Sequence, residues 1–134
     1  MSELLIATGE DAIPTHLPET AEQKARQLPI PVTYHILCAL PDIDEEYDSG
    51  IVKSGQTLYY EEVMSPVLFV VSMGPDCYKD KERFPSGPSC KVGDFVLVRG
   101  NTGTRIKIHG REFRMINDDS VEGVVEDPRG ISRA

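Results

Sequence analysis

From residue 33 onward the apolar side chains come in short β-rich runs, each cut off by glycine, proline or a polar turn. TYHILCAL (33–40) reads as a first strand. VLFVVSMG (67–74) is nearly all apolar and is stopped by Gly74-Pro75. FVLVRG (95–100) follows a KVGD turn, and TRIKIHGREFRMI (104–116) reads as a hairpin with His109-Gly110 at its tip, where a positive φ at Gly110 suits a tight turn. Arg105 to Ile108 alternate polar and apolar, and so do Arg111 to Met115, in which Phe113 and Met115 are the apolar members. VEGVVED (121–127) is the last strand, closed by Pro128. Strands this short, joined by turns, predict an all-β chain: a small antiparallel barrel or sandwich. No internal repeat is present.

Three stretches stand outside the strands. Residues 1–31 hold four prolines and no sustained apolar period, so an extended N-terminal arm is expected. Only TAEQKARQL (20–28) suits a helix there, with Thr20 as N-cap and Gln23 closing a capping box. Residues 42–64 open with five acids among the seven positions from Asp42 to Asp48, which predicts a mobile loop. Inside this polar segment lies one apolar island, Gly50-Ile51-Val52. A pair like Ile51-Val52 either tucks into the chain's own core or waits for a groove on a partner. The third stretch, residues 74–92 and the turn that follows, is too rich in proline and glycine for regular pairing.

A chain of 134 residues supports one domain with a modest core. Its formal net charge of -8 repels phosphate backbones, so no nucleic-acid partner is expected. No apolar run approaches the roughly 18–20 residues of a membrane helix. The start MSELLIATGEDAIP carries acids where a secretory leader needs a basic flank, which points to a cytoplasmic protein without a membrane partner. Cys38, Cys77 and Cys90 lack zinc-knuckle spacing, and reduced, partly buried thiols with no metal are expected. His16, His35 and His109 have no nucleophile placed with them by any motif, and GNTGT (100–104) suits a turn better than a phosphate cradle. Asp118-Asp119 in NDDS suits a capped turn better than a cation site. The residues therefore point away from an enzyme and call for no cofactor.

The residues from Pro31 to Pro128 resemble the chaperonin-10 (GroES-like) co-chaperonins, most closely those encoded by bacteriophages. The resemblance is carried by PVTYHILCAL, by SGIV in the acidic loop, by GPDCYKDKERFPSGPSCKVGDFVLVRG, and by GTRIKIHGREFRMINDDSVEGVVEDP. It implies an irregular antiparallel β-barrel over residues 32–128, with a mobile loop at 42–64, a hood loop at 74–92 and a tail at 129–134. It also implies a homo-oligomer, a ring of seven whose first and last strands pair with neighbouring subunits, here around Ile36 and Val124. Such a ring caps a chaperonin-60 (GroEL-like) ring and closes the chamber for ATP-dependent folding; the cap is no enzyme and holds no cofactor. In the family a Gly-flanked apolar tripeptide makes the contact, and Gly50, Ile51 and Val52 occupy its place, with Lys53 at the third apolar position. The alternative reading is a phage virion component, in capsid or tail, built on the same barrel.

Overall fold

The computed structural model describes residues 20–41 and 65–134. Thr20 caps a short helix, α1 (Ala21–Ala25): its hydroxyl accepts from the Gln23 N–H while the Gln23 side chain accepts from the Thr20 N–H, the reciprocal pair that the sequence predicts. No residue of α1 is buried.

Among the described residues there are six strands: β1 (His35–Ala39), β2 (Val67–Met73), β3 (Phe95–Leu97), β4 (Thr104–Ile108), β5 (Arg111–Asn117) and β6 (Gly123–Val125). They form one sheet in the order β4-β5-β1-β2-β3-β6, antiparallel at every step. The fold is all-β, as expected, but within one chain the sheet is open. Among the described residues, strands β4 and β6 each have a single neighbour.

Local chemistry sets much of the register. His109 (φ 52°) and Gly110 (φ 78°) are both left-handed, the backbone of a type I′ turn, and this turn pairs Ile108 with Arg111 and Arg105 with Arg114. Between β1 and β2 the pairing slips: Leu37 faces Ser72 whereas Cys38 faces Val70, a bulge that leaves Val71 over. It keeps Val70 in the core while Met73 packs against that core from the far end of β2.

The core lies on one face of the sheet. Ile36 and Cys38 of β1, Leu68 and Val70 of β2, Val96 of β3 and Ile116 of β5 fill it, joined by Leu40, Val98, Cys77, Tyr78 and Cys90. Fully burying one large aliphatic side chain contributes about 1.5–3 kcal/mol. On β5 the alternation runs opposite to its apolar residues: Glu112, Arg114 and Ile116 are buried, whereas Phe113 and Met115 are only half-buried. The cause is pairing. Ile36 sits opposite Ile116, so the period of two turns Arg114 and Glu112 inward as well.

Gly74 ends β2 where two backbones nearly touch. A Cβ built there would meet the Thr33 carbonyl oxygen at 2.3 Å, and the Gly74 N–H donates to the His35 carbonyl at 2.8 Å. Gly74→Ala is therefore expected to cost at least about 1–3 kcal/mol through overpacking. Gly130→Ala, where nothing lies within 4 Å, should leave the melting temperature almost unchanged. Paired thermal melts check this; equal melting points would show that the Thr33 approach relaxes freely.

Candidate functional site

Segment 42–64 connects β1 to β2, and both of its roots are fastened to the sheet. The Leu40 N–H donates to the Glu112 carbonyl at 3.3 Å, and the Val98 N–H donates to the Pro66 carbonyl at 2.8 Å. The Ser65 hydroxyl donates to the Val67 carbonyl at 3.0 Å. Leu40 and Val67 are buried on either side of the gap. The sheet thus presents this segment from two neighbouring strands, close to one end of β5.

Beside the first root sits a buried ionic cluster. The hairpin places Arg105 directly opposite Arg114, an arrangement that is unfavourable for like charges unless an anion joins them. Glu112 is that anion. Arg105 Nε and Nη2 donate to its two carboxylate oxygens at 2.9 and 3.0 Å, and Arg114 Nε donates to Oε2 at 3.0 Å. The side chains of Arg114 and Glu112 are 0% and 2% exposed. Burial by itself raises the Glu112 carboxyl, yet the hydrogen bonds and charges of Arg105 and Arg114 together outweigh burial and hold it below the usual glutamate range.

The hood, residues 74–92, folds down over the far end of the core. Tyr78, at φ 60°, gives its N–H to Asp118 Oδ2 at 3.1 Å, and its hydroxyl lies 3.5 Å from the Cys90 sulfur. Phe84 meets the Tyr78 ring edge-on, with centroids 4.9 Å apart. Arg83 lies over Phe84 and pairs with Asp119. The Cys77 thiol donates to the His35 carbonyl at 3.3 Å. Asp118 and Asp119 open a 3-10 turn, Asp118–Ser120, but without the side-chain cap that the NDDS string suggested: Asn117 at its N-cap makes no capping bond, and the two carboxylates instead grip the hood. GNTGT is a turn as well, with Asn101 and Gly103 at positive φ.

The three cysteines are free and buried. Burial raises all three thiols, Cys38 up to about 12. Among the described residues no group of three or more histidine, cysteine or acidic side chains is placed to hold a metal ion. Nor is any helix among them long and apolar enough to cross a membrane.

No protein-family model matches the chain. Individual relatives do. Over 97 residues the chain is 31% identical to the co-chaperonin GroES of Caldicellulosiruptor saccharolyticus, a match that takes in 72% of this chain and 96% of the relative. The GroES of Clostridium beijerinckii is 31% identical over 85 residues, covering 63% of this chain and 84% of that protein. That of Acetivibrio thermocellus is 27% identical over 96 residues, 72% and 96% of the respective chains. The chain belongs to the GroES co-chaperonins.

The residues proposed from sequence for contacts of this GroES chain fall in different places. Gly50, Ile51 and Val52 lie outside the described residues. Ile36 is fully buried, in a strand paired on both edges, so a single chain offers none of it to a neighbour. Val124 is 52% exposed on the outer strand β6, opposite Val96 of the core. Sequence reasoning passed over Arg105, Glu112 and Arg114. One signal was available: a two-residue turn at 109–110 obliges Arg105 to face Arg114, and opposed cations require a carboxylate between them.

Glu112 supplies a test. Because its folded value is lowered, its contribution to stability is complete above the unfolded value of about 4.3 and is lost as pH falls through the folded value. Glu112→Gln leaves two guanidinium groups short of their anion, one of them fully buried, and should cost about 3–5 kcal/mol at pH 7. The gap from wild type should narrow below about pH 4. Calorimetric melts between pH 7 and 3 check both, and a gap independent of pH would show that the carboxylate charge contributes nothing.

Proposed function

We propose that this protein is a co-chaperonin that caps the open end of a chaperonin-60 ring and closes the chamber in which a client chain folds. The observation that carries the reading is the 31% identity to a bacterial GroES across 96% of that protein's length. The roots of the 42–64 segment support it, because two adjacent strands hold the ends of the stretch that contains Gly50, Ile51 and Val52. In this reading Ile51 and Val52 enter an apolar groove on the larger ring. Residues 31–128 as a whole resemble phage-encoded members, and we place the protein with them, acting in the bacterial cytoplasm.

The sheet's open ends support assembly as a ring, of seven subunits as the resemblance implies. Among the described residues β4 and β6 are each paired on one edge only, and an edge left uncovered pairs readily with another chain. Val124 on β6 is exposed, and Ile30 and Val32 ahead of β1 are 86% and 62% exposed. The proposed interface takes in the first strand around Ile36, with the exposed stretch ahead of it, and the last strand around Val124. Burying Ile51 and Val52 is worth about 1.5–3 kcal/mol each. Ordering a loop costs about 1–2 kcal/mol per residue, so one contact is close to neutral. A ring makes later contacts intramolecular and multiplies affinity by about 10²–10⁴.

Ile51→Asp places a charge where an apolar groove is proposed. Chaperonin-dependent refolding of a client should be abolished, while stability changes by less than about 0.5 kcal/mol. If the variant melts much earlier, Ile51 belongs to the core; if it melts normally and still supports refolding, the virion-component reading takes its place. Val124→Asp should separately convert the ring to smaller species in light scattering, and an unchanged mass would remove β6 from the interface.

A further inference from the structure

Between the two hood cysteines, residues 78–89 are held down at few points, and the thiols lie at their base. Between Cys77 and Cys90, which are 7% and 6% exposed, Tyr78 is the one other buried side chain and Phe84 is half-buried. The fasteners are the Tyr78 N–H on Asp118, the Tyr78 hydroxyl beside Cys90, and the Arg83–Asp119 pair. That last pair is about half exposed, at 47% and 51%, so water weakens it. None of these contacts belongs to a strand ladder. The base of the hood, by contrast, is framed by backbone bonds from Gly74 to His35, from Asp76 to Thr33 and from Gly93 to Val70, and by the Cys77 thiol on the His35 carbonyl. Cys38 differs from both hood cysteines: it sits in β1, paired on both edges, and reaching it means breaking the sheet.

We propose that residues 78–89 of the hood are a flap that lifts as a unit from this framed base, and that Cys77 and Cys90 at its two roots form a gated thiol site for small disulfides. With the flap down, burial holds both thiols in the protonated, unreactive form. With the flap up, either loses its proton to water. The thiolate then attacks one sulfur of the disulfide, forming a protein–reagent S–S bond and releasing the other half as a thiolate. The adduct on Cys90 has no room beneath Tyr78, whose hydroxyl is 3.5 Å from that sulfur, so modification props the flap open. Local opening that exposes one cluster and spares the sheet is the behaviour expected where buried apolar contacts are few.

The test uses the full chain and an aromatic disulfide such as dithiobis(nitrobenzoate), without denaturant, with each cysteine followed by peptide mass spectrometry. Cys77 and Cys90 should react together, at least ~10-fold faster than Cys38. Arg83→Ala, a surface change, should speed the two hood cysteines about 2- to 5-fold and leave Cys38 and the melting temperature unaltered. One common rate for all three thiols, or no change at Cys77 and Cys90 on Arg83→Ala, overturns the proposal.

Discussion

The backbone pairing of β1 on both edges is the constraint on which the rest depends. With β2 on one side and β5 on the other, its buried residues Ile36, Leu37 and Cys38 are closed off from solvent. Its neighbours inherit their positions from it. The hood begins where Gly74 passes against Thr33 and His35, just ahead of β1, and the 42–64 segment leaves from the strand's other end. One strand thus sets the base of the hood and the first root of the 42–64 segment at opposite ends of the core.

That arrangement has an electrostatic consequence. Once Ile36 selects Ile116 as its partner, Arg114 must point inward, and an isolated guanidinium there would be costly to desolvate. Glu112 and Arg105 answer it with a shared carboxylate held by three donated hydrogen bonds. A buried ionic cluster of this kind is a weak source of net stability but a strong one of penalty when broken. It favours a single register for the hairpin beside the loop root, because a slip of one residue would move both cations to the other face.

The sheet's open ends balance this closed centre. Among the described residues β4 and β6 are each paired on one edge, and the proposed ring would cover the other with copies of the chain. The N-terminal helix contributes little to this body: it buries nothing and is stabilised locally by its capping box and the Glu22–Arg26 pair.

Every strand was legible in the sequence, because short apolar runs, the His109-Gly110 turn and the Pro128 stop act through neighbours in the chain. The Thr20–Gln23 cap was legible for the same reason. The strings shared with the GroES relatives fixed the family before any strand was paired. Tertiary structure decided the rest, since only pairing between distant strands tells which face is inside. It buried Glu112 and Arg114 in place of Phe113 and Met115, enclosed Ile36, left Val124 at an edge, and turned Asp118 and Asp119 into fasteners for a hood some forty residues earlier in the chain. A period of two names the alternating residues, but the face they occupy is set by partners that the local sequence does not contain.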